Sequence, residues 1–237
     1  MRKFCVLTVG RAGSTALMDR LARYPDVAVP GKNIECVDQE LTHPARIQAH
    51  AAAYARLCGR AIATAEQLID GFFEVNGGAG YAGFKTMPNR HRDLARFVAR
   101  PDIQFITLSR RDVASTVASF LMAMATDSWR RDGGLQTARW KFDAQRDAAA
   151  VVGNLRYLVK GDAKLRAVPN AIALVYEELC APAFSSPALD AFFGRPIRLD
   201  DPKPPTSGES YVANWPEFRA FVDQAQRAMT AAPPRRA

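Results

Sequence analysis

The stretch from Phe4 to Val9, FCVLTV, constrains this chain more than any other. It is a nearly continuous apolar run without the alternation of a half-exposed strand, so a strand built from it must be covered on both faces. It runs directly into GRAGST (Gly10 to Thr15) and then into a helical pattern from Ser14 to Arg23. There Leu17 and Leu21 share one side, while Asp19, Arg20 and Arg23 lie elsewhere. A buried strand, a glycine-bracketed turn and an amphipathic helix form the opening unit of a parallel α/β sheet.

The remainder repeats that logic. GYAGFKTMP reads as a second strand ended by Pro88, followed by a helix from about Arg90 to Ala99. IQFITLSR reads as a third strand, and the helix after it begins at Asp112, which is placed to cap it. Val113, Val117, Phe120, Leu121 and Met124 recur there at helical spacing. A long helix fits residues 137–168, AIALVYEEL supplies a fourth strand, and a last helix carries Pro216 in its first turn. Pro25 to Asn33 reads as loop, and residues from about Glu35 to Phe73 as alanine-rich helix with interruptions. The expected fold is therefore α/β: a single domain over 1–237, three-layer αβα, with a central, mainly parallel sheet and a P-loop-like phosphate-binding turn.

Composition narrows the function classes. No apolar run approaches the ~20 residues of a membrane span. The basic start, MRKFCVLTVGR, meets Arg11 too early for a signal peptide and reads better as a strand, so a cytoplasmic protein is expected. Cys5, Cys36, Cys58 and Cys180 form no CxxC pair, which argues against a zinc site or disulfide framework and fits a reducing compartment. A formal charge of +8 suits anionic partners. The arginines are scattered, with no dense block apart from the PPRRA tail, so a nucleic-acid groove is not expected.

A helix N-terminus offers unpaired N–H groups and a positive dipole end, both suited to phosphate. Gly10 and Gly13 permit a tight turn, and Ser14 and Thr15 add hydroxyls. The ATP/GTP pattern G-x-x-x-x-G-K-[ST] is not met: Ser14 stands where its lysine belongs, the glycines are too close, and the cation comes earlier, at Arg11. A second strand–cation–helix junction lies in FITLSRRDVASTVASF, with Arg110 and Arg111 at the strand end and Ser115 and Ser119 one helical turn apart. Guanidinium matches phosphate in bidentate fashion, so an arginine and a serine there suit a second phosphate. The alternative for this pair is neutralisation by Asp112 at the surface.

Together the two junctions resemble the sulfotransferase family that uses 3′-phosphoadenosine 5′-phosphosulfate (PAPS), in particular its bacterial carbohydrate-sulfotransferase branch. GRAGST is similar to the family's 5′-phosphosulfate loop. LSRRDVASTVASF is similar to its 3′-phosphate motif, an arginine followed eight or nine residues later by a serine. LVYEEL and TSGESYVANWPEF resemble, more loosely, a strand-ending motif and a C-terminal loop that closes over the cofactor. The resemblance implies sulfuryl transfer from PAPS to a glycan, lipid or small-molecule hydroxyl or amine, with 3′,5′-ADP (PAP) as product, and no metal. It implies Arg11 on the leaving oxygen and Ala12, Gly13, Ser14 and Thr15 around the 5′-phosphate. It also implies Arg110 (or Arg111) with Ser119 on the 3′-phosphate.

The family's adenine-stacking tryptophan is absent, Ala16 taking its place; Tyr211 or Trp215 is left to cover the base, with Trp215 also readable as a packing residue. For the general base the resemblance points to a glutamate beyond the first helix. Glu35 is the choice, with Asp38, Glu40 and His43 as rivals, and Glu35 is equally readable as a first-turn glutamate complementing a helix dipole. Lys85 at a strand end suits the sulfuryl oxygens or an acidic acceptor, or simply solvent. The segment from Glu35 to Gly80 is expected to shape the acceptor pocket. Two other classes stay open: a P-loop kinase with a degenerate loop, and a non-catalytic nucleotide-binding module.

Overall fold

The computed structural model of the chain describes residues 1–31, 40–126, 139–198 and 207–231. Its strands are β1 (Arg2–Thr8), β2 (Val27–Ala28), β3 (Tyr81–Thr86), β4 (Ile103–Ser109) and β5 (Ile172–Val175). Its α-helices are α1 (Ser14–Ala22), α2 (Ile47–Cys58), α3 (Ala65–Val75), α4 (Leu94–Val98), α5 (Val113–Thr126), α6 (Ala144–Arg166), α7 (Tyr176–Leu179), α8 (Pro187–Phe193) and α9 (Trp215–Ala231). The strands form one sheet in the order β2-β3-β1-β4-β5, every pair parallel.

The apolar run that opens the chain lies at the centre of this sheet, where Cys5 stands opposite Phe84 of β3 and Phe105 of β4. Its residues divide between two cores as strand geometry requires. Cys5, Leu7 and Val9 face a cluster with Phe84 and Phe105 of the neighbouring strands and with Phe72, Val117, Leu155 and Phe218, drawn from α3, α5, α6 and α9. Phe4 and Val6 face the other side, with Leu17 and Leu21 of α1 and Leu189 and Phe193 of α8. Phe4 through Leu7 have no exposed surface, so both faces are covered and the three-layer αβα arrangement follows.

Local chemistry sets the helix ends. Thr64 and Gln67 make a reciprocal capping box at the start of α3, with Gln67 N donating to Thr64 Oγ1 at 3.1 Å. Asp143 accepts from Gln145 N and Arg146 N before α6. Asp112 accepts from Ser115 N at 3.1 Å before α5, the capping role read from the sequence.

Four details depart from the sequence reading. A fifth strand, β2, lies inside the stretch read as loop; at two residues it is too short to carry a pattern. AIALVYEEL is divided, since the backbone leaves the sheet after Val175 and YEEL forms the helical turn α7. The long helix begins at Ala144 rather than at residue 137, because Asp143 caps it and Trp140 pairs with Val212 in an isolated bridge. The helix expected from Arg90 is a 3-10 turn at Pro88–Arg90 followed by the short α4, started by the Asp93 side chain. Among the described residues no helix is long and apolar enough to cross a membrane.

Candidate functional site

The chain leaves β1 toward β2 and β3 on one side, then crosses to β4 on the other. Between the carboxyl ends of β1 and β4 the connections diverge, leaving the crevice where open α/β sheets take ligands. The turn after β1 and the junction after β4 meet there.

The first turn is held in an unusual backbone conformation. Arg11 has φ 65° and Gly13 φ 80°, both left-handed, and Gly13 precedes α1 with no side-chain cap. For arginine this conformation costs about 1–2 kcal/mol, the kind of strain that persists where surrounding contacts enforce it. Gly13 has a second reason to be glycine: the Tyr176 ring fills the space a Cβ would need.

The two junctions are directly linked. Arg11 Nε donates to Ser119 Oγ at 2.9 Å, and Arg110 Nη1 reaches the Arg11 carbonyl at 3.4 Å. The Arg110 side chain is 5% exposed; its guanidinium lies 5.4 Å from the Tyr176 ring centroid, and its Nε is 3.8 Å from Glu177 Oε1. Glu177 also accepts from the backbone N–H groups of Arg111 (3.1 Å) and Asp112 (3.0 Å), while Arg111 pairs with Glu178. The YEEL turn, a weak motif in the sequence, thus clasps the SRRD junction through both glutamates and the tyrosine. Ser115 is fully buried: its Oγ donates to Asp112 Oδ2 at 2.6 Å and accepts from Gly208 N at 2.8 Å.

In front of this linkage opens a cavity of about 530 Å³. Its near wall is the first turn, through Gly10, Arg11, Ser14 and Thr15; Lys85, from the end of β3, donates to Thr15 Oγ1 at 2.9 Å. Its lining also includes Glu40, His43, Arg46, Asn89, Arg90 and Tyr157. Glu40 is 8% exposed, accepts from Arg90 Nε at 3.0 Å and forms a bridge with Lys85 through the backbone. Four basic side chains (Arg11, Arg46, Lys85, Arg90) therefore line the cavity against one carboxylate among the described residues, which favours an anionic ligand.

Thr86, which also lines the cavity, is hydrogen-bonded to Thr42 (2.6 Å) and to His91 Nε2 (3.1 Å). The His91 ring stacks on Phe97 at 3.9 Å, and burial lowers its pKa to about 4. His43 accepts from Ala45 N through Nδ1 at 3.3 Å. A neutral imidazole that accepts at Nδ1 carries its proton at Nε2, so His43 in this arrangement presents a donor rather than a base.

The residues named from the sequence are thus brought together in part. Arg11, Ser14, Thr15 and Lys85 line the cavity, as do the rivals Glu40 and His43. Ala12 is fully buried, and Gly13 packs on Tyr176. Arg110 and Ser119 sit behind the turn and bind it, outside the cavity lining. Tyr211 packs against the core and its carbonyl accepts from Trp140 N at 2.9 Å; it does not line the cavity. Trp215 is 6% exposed and stacks on Phe218, a packing residue. Glu35 and Asp38 lie outside the described residues.

The sequence reading missed Arg46, Asn89, Arg90 and Tyr157. Tyr157 sits in the middle of the long α6, where a single tyrosine among alanines and leucines has no motif to mark it. A comparison with known proteins found no family model and no curated protein that matches the chain.

Proposed function

We propose that this protein transfers a sulfuryl group from a 3′-phosphorylated adenosine phosphosulfate (PAPS) to a hydroxyl or amine. The observation that supports this reading best is the physical joining of the two anion-suited junctions. The left-handed turn after β1 carries Arg11, and the junction after β4 carries Arg110 and Ser119. They are connected by two hydrogen bonds at one sheet edge, in front of a cationic cavity.

The fit to such a donor is better at one end than at the other. Ser14, Thr15, Arg11 and Lys85 present hydroxyl and cationic donors to the cavity, a set suited to a phosphosulfate. At the 3′ end, Arg110 is enclosed by Tyr176 and Glu177, and Ser119 is bonded to Arg11. A 3′-phosphate has to displace those contacts, so its binding is expected to loosen Arg11 from Ser119 and turn it toward the 5′ side.

In the reaction, the acceptor oxygen or nitrogen bonds to sulfur as the sulfur–oxygen bond to the 5′-phosphate breaks. The electron pair stays on that phosphate, and the acceptor proton passes to a base. Arg11 and Lys85 stabilise the charge that grows on the leaving oxygen. Glu40 is the carboxylate among the described residues that lines the cavity, held by Arg90, and is placed to take the acceptor proton. The cationic cavity also suits an acceptor bearing negative charge.

Thermal unfolding with 3′,5′-ADP, ADP, ATP–Mg²⁺ and a short oligonucleotide tests the assignment. A ligand at 100 times its Kd stabilises by about 2.7 kcal/mol. Stabilisation by 3′,5′-ADP well above that by ADP is the expected result. Stabilisation by ATP–Mg²⁺ alone would replace sulfuryl transfer by phosphoryl transfer, and a response confined to the oligonucleotide would indicate a binding module.

A further inference from the structure

Tyr157 lines the cavity beside the first turn, and its surroundings are lopsided. The α6 helix approaches β1 closely, because Gly161, one turn beyond Tyr157, lies against the Val9 side chain where a Cβ would overlap. This brings the phenol to the first turn, with its ring 5.8 Å from Phe120. The phenol lines the cavity beside Gly10 and Asn89. Its single proton is donated to Met87 Sδ, at 3.2 Å. A thioether is a weak acceptor, and a half-buried hydroxyl resting on sulfur gains little from the contact.

We propose that Tyr157 contacts the substrate: its hydroxyl donates to a non-bridging oxygen of the sulfuryl group being transferred. The inference rests on the sulfotransferase reading and adds a residue that neither anion-binding motif contains. The ring packs against Phe120 beside the first turn, which keeps the hydroxyl close to where the phosphosulfate would lie. The other groups at this end of the cavity, Arg11, Ser14, Thr15 and Lys85, are donors as well, and a charged oxygen is the acceptor they have in common. Turning from sulfur to such an oxygen exchanges a weak bond for a charge-assisted one, about twice as strong as a neutral hydrogen bond. The move needs only rotation about the C–O bond. Burial raises the Tyr157 pKa, so the group remains a phenol and a donor at neutral pH. It neither gives up nor takes the acceptor proton.

Calorimetric titration of the full chain with 3′,5′-ADP and with PAPS, in the absence of acceptor, separates this contact from the rest of the site. In Tyr157→Phe, affinity for 3′,5′-ADP is expected to stay within twofold of wild type, while affinity for PAPS falls roughly tenfold, the size of one lost hydrogen bond to a charged group. Met87→Leu removes the resting partner but keeps the hydroxyl, and is expected to raise the preference for PAPS over 3′,5′-ADP. The inference is overturned if Tyr157→Phe weakens both nucleotides equally or neither, or if Met87→Leu reproduces its loss. A wild-type chain that binds neither nucleotide overturns the sulfotransferase reading itself, and this inference with it.

Discussion

Removing the titratable group at His91 should change how the protein responds to acid. Burial against Phe97 lowers the His91 pKa from the ordinary 6.5 to about 4. The native state therefore prefers the neutral ring, and between these two values the unfolded chain binds more protons than the native one. Stability from this residue is complete above pH 6.5 and is lost as pH falls toward 4, below which both states are protonated. A displacement of about 2.5 on the pH scale, at about 1.4 kcal/mol for each pH unit, sets the full effect at about 3 kcal/mol. Roughly 2–3 kcal/mol of it is lost between pH 7.5 and 4.5. Urea unfolding followed by circular dichroism at those two pH values, in wild type and His91→Gln, measures it. Carboxylates that titrate in the same range contribute to both proteins and cancel in the comparison. The acid loss should be smaller in the variant by about that amount, and the wild-type ring should titrate by NMR near pH 4. Equal acid losses in the two proteins, or a ring that titrates near 6.5, would refute the argument. Because His91 bonds Thr86, the neighbour of Lys85, the same acid range should also reduce nucleotide binding.

Two further substitutions probe the first turn and its support. Gly13→Ala forces a side chain into a left-handed backbone and against Tyr176; it should destabilise by at least about 1 kcal/mol and abolish stabilisation by 3′,5′-ADP, both read from thermal unfolding. Asp112→Ala removes the cap of α5 and should cost about 1 kcal/mol in urea unfolding. It also deprives Ser115 of its acceptor, so hydrogen exchange at the Gly208 amide should accelerate.

What could be read beforehand follows from the range of each interaction. The buried β1, the turn behind it and the capped α5 are local patterns within a few residues, and all three stand as read. β2 escaped because two residues carry no period, and YEEL was read as strand because it follows AIALV directly, with no glycine or proline to mark where the backbone turns. Within the site, Arg11 and Lys85 sit at strand ends, positions that a parallel sheet carries to one edge by topology alone. Tyr157 and Arg90 reach the cavity through contacts across long separations in sequence, such as the approach of Gly161 to Val9, and no local pattern encodes these. The enclosure of Arg110 by Tyr176 and Glu177 is of the same kind.

The path from β2 to β3 is a long detour through α2 and α3, and it carries Glu40, His43 and Arg46 to the cavity from outside the sheet. The turn that bears Arg11 belongs instead to the central strand. If the chain transfers a sulfuryl group as proposed, donor handling and acceptor choice reside on different pieces of polypeptide, one anchored in the frame and one attached to it. On that proposal, grafting a different detour between β2 and β3 should redirect the reaction to new acceptors while leaving the donor grip intact, which makes this excursion the natural place to vary in engineering.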